Sequence, residues 1–268
     1  LGRPRKQIDF ALKFWWLTHL AKRIGGKTPF KHAASLIASE KAFSGSYVPV
    51  GESIEIPPSV VAPKDILQDL IRRASARTII RFCPCRVGEG CENYPRDFGC
   101  LLLGDGARDV HPDVGHEASC EEALAHLDRA IEMGLLPLVG HLKIDQVVFG
   151  VRDYARLLTM CFCCRCCCVL LSEMRSLVEA FPRSLVRLEG VMVDVTGDCT
   201  GCGVCLAACP IENITLENGV AVIGEKCIGC GSCASVCPNS SITVKIEPGS
   251  KILEDIRCRI EKGVDIET

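Results

Sequence analysis

The chain has 268 residues, 48% of them apolar, enough for one large or two modest domains with a core of their own, so its 20 cysteines are not needed to staple an undersized scaffold. With 31 Lys+Arg against 33 Asp+Glu there is no basic excess to steer it toward nucleic acid, and no nucleic-acid partner is expected. Only three Tyr and two Trp accompany the thiols, adjacent Cys pairs are awkward for disulfides, and no charged n-region with an apolar run and cleavage site opens the sequence; a reducing cytoplasm and metal-bound cysteines are therefore expected.

Residues 8–24, IDFALKFWWLTHLAKRI, put Phe10, Phe14, Leu17, Ala21 and Ile24 at helical spacing, with Trp15 and Trp16 broadening the apolar face and Gly25-Gly26 ending it. Core packing is the preferred use of this helix; docking of a partner, or peripheral membrane association through Lys13, Lys22 and Arg23, are the alternatives. A solvated connection running to Pro57-Pro58 completes an N-terminal helix-and-linker region over residues 1–62. Pro63-KDILQDLIRRASAR is a second helix, with proline near its start and Ile66, Leu67, Leu70 and Ile71 as its buried stripe. After Thr78-IIRF, the Gly- and Pro-containing CPCRVGEGCENYPRDFGC reads as a loop wrapped around something. Ser119-CEE is a capping box opening a helix through Ala130 and Met133, closed by Gly134. Leu138 to Val151 alternates loosely and suggests strands, and Val169 to about Ala180 looks helical. The longest apolar run, Leu157 to Leu171, is too short for a membrane span and contains Arg165. A last helix is expected over Ser250-KILEDIRCRIEKG, with Ile252, Leu253, Ile256 and Ile260 apolar.

Two windows, CTGCGVCLAACP at 199–210 and CIGCGSCASVCP at 227–238, form an internal duplication, each followed by a short strand, ITL or ITV. Each has the spacing C-x2-C-x2-C-x3-C-P. A tight loop supplies three corners of a tetrahedral thiolate set, so the fourth must come from elsewhere, and in two-cluster ferredoxins it crosses over. The pattern predicts Cys199, Cys202, Cys205 and Cys237 on one [4Fe-4S] cluster and Cys227, Cys230, Cys233 and Cys209 on the other. Zinc knuckles would show paired CxxC motifs without the third cysteine and the repeated CP.

On these residues, roughly 190–247 resemble bacterial-type dicluster ferredoxins, which implies two low-potential clusters and one-electron transfer. The expected fold is α+β: a helical and mixed cysteine-rich region, with its iron–sulfur domain at 63–185, then a ferredoxin-like dicluster domain at 186–247 and a terminal helix at 248–268.

Of the remaining cysteines, Cys83, Cys85, Cys91 and Cys100 form C-x-C-x5-C-x8-C, a set of four that suits a further iron–sulfur centre, with zinc as the alternative. CFCCRCCC then packs six thiols into residues 161–168: Cys161, Cys163, Cys164, Cys166, Cys167 and Cys168. On an extended strand, Cys161 and Cys163 would serve one centre, and Cys164, Cys166 and Cys168 another, completing sites begun by the 83–100 loop; one or two of the six are expected to be ordinary buried thiols. Cys120 and Cys258 are expected to be unligated. Together with PPSVVAPKDILQDLIRRA at 57–74, FCPCR at 82–86, CENYPRDFGCLLLG at 91–104 and EALAHLDRAIEMGLLPLVGH at 122–141, these motifs resemble a family of prokaryotic cysteine-rich iron–sulfur proteins, which implies an anaerobic redox role without naming a substrate.

Arg86 and Arg165 stand beside cysteines, where a guanidinium can offset thiolate charge; Asp198 and Lys226 hold equivalent places in the two repeats with opposite sign. His111 and His116 suit a loop, and His19, His32, His126 and His141 a surface or satisfied core. No catalytic acid–base constellation or phosphate-binding loop is present, so the preferred reading is an electron-transfer component of an oxidoreductase complex, served by a redox protein partner. The alternatives are a redox enzyme whose CFCCRCCC centre reduces a thiol, disulfide or other small substrate, and a zinc-containing scaffold or regulator carrying a ferredoxin domain.

Overall fold

The computed structural model describes residues 2–17, 43–50, 54–55, 63–176 and 187–248. Its strands are β1 (Phe43–Tyr47), β2 (Ile54–Glu55), β3 (Arg77–Ile80), β4 (Leu101–Leu103), β5 (Gly115–Glu117), β6 (Leu136–Leu142), β7 (Leu158–Cys163), β8 (Val191–Val195), β9 (Ile214–Glu217), β10 (Val220–Ile223) and β11 (Ile242–Ile246). The helices are α1 (Arg5–Leu12), α2 (Pro63–Arg73), α3 (Pro84–Gly88), α4 (Cys120–Glu132), α5 (Lys143–Phe149), α6 (Val169–Ser176), α7 (Val204–Ala208) and α8 (Ser232–Ser235). Six strands pair antiparallel in the order β1-β6-β7-β4-β3-β5.

The strand period of two explains how this sheet divides its contacts. Leu101 and Leu103 of β4 point to one core with Ile66, Leu67, Leu70 and Ile71 of α2 and Ala123, Leu127 and Ala130 of α4. Leu102 points the other way, to Ile8, Phe82, Val110 and Phe149. In β7, Leu158, Met160 and Phe162 join the first core, which leaves Cys161 and Cys163 on the opposite face. Each fully buried Leu or Ile contributes about 1.5–3 kcal/mol, so the α2 stripe alone fixes that helix on the sheet. The capping box of α4 is formed: Ser119 Oγ accepts from the Glu122 amide and Glu122 accepts from the Ser119 amide.

Several sequence expectations need correction. The connection expected to be solvated contributes β1, with Tyr47 1% and Val48 2% exposed, and β2, which runs parallel to β11. The 83–100 loop contains α3, started by Pro84 and too short to show periodicity. The stretch 138–151 is one strand followed by α5, whose Gly150 takes a left-handed cap at φ 70° and donates its amide to Gln146. In the N-terminal helix, Ile8 is buried while Phe10, Phe14, Trp16 and Leu17 are exposed; Trp15 turns inward against Gly88 and donates Nε1 to Glu89 at 2.8 Å. The remainder of that helix and the expected terminal helix lie outside the described residues.

Beyond residue 187, β8 pairs antiparallel with β11, and β9 forms a hairpin with β10 across Asn218-Gly219, both at positive φ. The fold is thus mixed helix and sheet, with the duplicated cysteine loops held between these two strand pairs.

Candidate metal centres

Each duplicated loop bends through glycines at matching places, Gly201 and Gly203 in the first and Gly229 and Gly231 in the second, and then starts a short helix, α7 or α8. At Gly201 the constraint is double: φ is 66°, and a Cβ would lie 2.3 Å from the Gly219 carbonyl oxygen. The result is two thiol-lined cavities. Cys199, Cys202, Cys205 and Cys237 line one, with Leu216, Ala221 and Ile242 around them. Cys209, Cys227, Cys230 and Cys233 line the other, among Val193, Ile211, Ile214, Ile223 and Ile228. Each cavity takes three sulfurs from one loop and the fourth from the other.

Backbone amides point at these sulfurs. Asn213 N donates to Cys209 Sγ at 3.3 Å and, four residues after the equivalent cysteine, Ser241 N donates to Cys237 Sγ at 3.2 Å. Ala221 N reaches Cys199 Sγ at 3.5 Å and Gly229 N reaches Cys227 Sγ at 3.4 Å. Such donors favour thiolate over thiol. Crowding opposes them: burial, and then the neighbouring sulfurs Cys230, Cys227 and Cys209, push Cys233 up to about 12. Burial also raises Cys205, Cys227 and Cys230. Against burial, backbone amides from Ser241, Asn239 and Ile242 hold Cys237 below its ordinary value. Buried thiols that resist ionisation beside others supplied with amide donors fit a cationic metal centre, which supplies the missing positive charge.

Residues 191–243 match the family of 4Fe-4S dicluster domains. No curated protein and no solved structure matches the chain. The match supports iron–sulfur clusters, and the four cysteines lining each cavity are of the type that ligates them.

The ten upstream cysteines form a different arrangement. Cys83, Cys85, Cys91 and Cys100, one set by spacing, do not form one group in space: Cys83 neighbours Cys85 and acts on Cys100, while Cys91 stands apart. Cys91 joins Cys164, Cys166 and Cys167, with all four sulfurs within 4.8 Å of one another. Cys100 pairs with Cys161 at 3.4 Å, and Cys168 with Cys163 at 3.2 Å. Cys168 therefore leaves the group of Cys164 and Cys166, because the turn after β7 carries it back to the Cys163 face. Cys83 and Cys85 hydrogen-bond to each other and act electrostatically on Cys163 and Cys168. Cys83 is lowered to about 6, first by the Cys85 hydrogen bond and then, against burial, by the Arg86 charge; Cys85 rises correspondingly.

Arg86 lies among these groups, 1% exposed. Its Nη1 donates to the Phe162 carbonyl at 3.1 Å, its Nη2 to the Phe98 carbonyl, and its Nε has no partner among the described residues. Burial disfavours its charge, but Cys83, Cys164 and Cys100 outweigh that and hold its pKa above the ordinary value. Arg165, half-buried, donates Nη1 to the Ala208 carbonyl at 3.4 Å, beside Cys209.

Other expected residues take ordinary places. Asp198 and Lys226 are exposed. His126 Nε2 is 2.9 Å from the Gly99 carbonyl and stacks on Phe98; His141 Nε2 is 2.8 Å from the Tyr154 carbonyl. His111 Nδ1 accepts from the Asp113 amide within a turn, and His116 lines an open groove with Glu122 and Arg129. Cys120 packs at the margin of the first core, while Cys258, His19 and His32 lie outside the described residues.

Two residues near the thiols escaped the sequence reading. Tyr47 is buried against Cys163 and Cys168, and it lay in a presumed linker. Asp145 is pushed up to about 7, chiefly by burial, despite the opposing effect of the nearby Thr159 hydroxyl; nothing in its sequence context marks it. Among the described residues no helix is long and apolar enough to cross a membrane.

Proposed function

We propose that the chain is a multi-cluster iron–sulfur electron-transfer protein or subunit, passing low-potential electrons between the upstream cysteine-rich region and a redox protein partner through the dicluster domain. When bound, clusters in the two cavities supply one-electron chemistry at thiolate-ligated iron. The observation that carries the reading is the continuity of thiol groups from the interior to the surface. Cys161, Cys163 and Cys168 share an apolar cluster with Ile211 and Ile228, against which Cys209 and Cys230 pack. Arg165 adds a direct hydrogen bond to the Cys209 loop. The other set reaches solvent at Cys202, flanked by exposed Val204 (46%) and Leu216 (40%), an apolar rim suited to a transient protein partner.

The test is anaerobic purification followed by iron and acid-labile sulfide analysis, EPR of the dithionite-reduced protein, and electron delivery to ferric cytochrome c as an artificial protein acceptor. The reading expects coupled reduced cubane signals, and at least tenfold slower delivery in Cys237→Ser with the EPR signal of the Cys209 set retained. A colourless, iron-free chain would overturn it.

A second reading rests on the exposure of Cys166, the one upstream thiol of that class, which leaves the CFCCRCCC turn open to a small thiol or disulfide. Disulfide-dependent reoxidation of the isolated reduced chain, with saturation in the disulfide, would favour this enzymatic reading.

A further inference from the structure

The thiols of this molecule come in two sizes of nest. In the dicluster domain, four sulfurs line each of two cavities, and neither four draws together within 4.8 Å. Cys91, Cys164, Cys166 and Cys167 are instead contracted: the set is the one, among the described residues, in which all ligand atoms lie within 4.8 Å of one another. Cys91 Sγ is 3.7 Å from Cys166 Sγ, and Cys166 Sγ is 3.5 Å from Cys167 Sγ. A single tetrahedral ion with metal–sulfur bonds of about 2.3 Å sets its sulfurs about 3.8 Å apart, which matches these separations. A cubane, whose irons and sulfides must fit inside the thiolate shell, needs the wider nest.

We propose that Cys91, Cys164, Cys166 and Cys167 hold one tetrahedral divalent ion, zinc or iron(II), with no inorganic sulfide. The site is independent of the dicluster reading. Four thiolates around a divalent ion leave two negative charges, and two arginines stand by to offset them: Arg165 lies within the ligand turn, and buried Arg86, with its unpartnered Nε, neighbours Cys164. Three ligands come from the turn after β7, and Cys91 comes from the loop after α3. The ion would therefore clamp that loop to the turn whose Arg165 grips the dicluster domain, a structural pin at the junction.

Two measurements on the anaerobically purified full chain decide this. Elemental analysis with acid-labile sulfide, on wild type and on the double variant Cys166→Ser/Cys167→Ser, should show one zinc or one iron per chain lost from the variant with sulfide unchanged. X-ray absorption at the edge of the lost metal should show four sulfur neighbours at about 2.3 Å and no metal–metal vector. Should the variant fail to fold, cobalt(II) exchanged into the wild-type chain gives the second reading, the intense visible bands of tetrahedral tetrathiolate cobalt. Loss of iron and sulfide together, or a wild-type chain from zinc- and iron-replete medium carrying no metal beyond its sulfide-matched iron, would overturn the site. Iron-free dicluster cysteines beside an intact tetrathiolate ion would sink the electron-transfer reading and leave this one standing.

Discussion

A guanidinium buried at 1% exposure, with thiols as its electrostatic neighbours, makes sense only if those thiols carry charge, and Arg86 is so placed. Arg86→Met removes the cation while leaving the thiolate groups, and it strips the donors from the Phe98 and Phe162 carbonyls. Breaking a buried charge pair from one side costs about 3–5 kcal/mol, so the anaerobic urea midpoint should fall accordingly, with Arg86→Lys intermediate because it cannot serve both carbonyls as a fork. FCPCR placed this arginine beside ligand-type cysteines in the sequence. Tyr47 was not legible in that way, since its burial depends on strand pairing with Leu138, a partner distant in the chain. Asp109 offers a pH test at the same scale. Burial opposes its charge, but hydrogen bonds from the Arg152 side chain and from the amides of Arg152 and Asp153 hold its pKa below the ordinary carboxylate value. The folded state thus binds the proton less readily than the unfolded one; the contribution is present above about pH 4 and lost as pH falls through the folded pKa. Asp109→Asn should lower stability at pH 7 and flatten the acid-unfolding curve below about pH 4.

At the level of elements, what the sequence made visible was what local rules control. The α2 stripe, the α4 capping box and the duplicated cysteine loops each carry their signal within a dozen or so residues. The α5 helix did not, because Ile144, Val147 and Val148 favour strands by propensity and only Phe149 among its apolar residues is well buried; the left-handed Gly150 decides it. The N-terminal aromatics show the same limit. Periodicity marked an apolar face, yet Trp15 anchors the segment while Phe10 and Trp16 stay 63% and 57% exposed. Trp15→Ala should cost about 3 kcal/mol in thermal or chemical unfolding, and Trp16→Ala less than about 0.5 kcal/mol. In the first ferredoxin loop, Gly201→Ala forces a Cβ toward the Gly219 carbonyl at a positive φ. Its expected outcome is loss of up to half of the cubane iron, from the Cys199 set, with the EPR signal of the Cys209 set retained.

For the molecule as a whole, the two groups of four cysteines that line the cavities were legible because their spacing is short and repeated, whereas the partition of the upstream cysteines was not. Cys91 meets Cys166 across 75 positions of chain, and only the packing of β7 against β4 and β6 brings them together. The junction with the dicluster domain is likewise tertiary. Arg165→Ala removes the hydrogen bond to Ala208; at about 1 kcal/mol, amide exchange at residues 205–211 should accelerate by roughly fivefold, with global unfolding little changed.

The same N-terminal segment, through β1 and β2, adds a strand to each of two sheets, and β2 lies along the outer flank of β11 at Val244 and Lys245. Without β2 that flank would be an open margin of a small sheet whose strand, Ile242–Ile246, alternates buried Ile242, Val244 and Ile246 with polar residues. A fragment trimmed to residues 187–248 would uncover that sheet edge and invite edge-to-edge stacking of copies, so the dicluster domain depends on residues far upstream of its own cysteines to keep that edge covered.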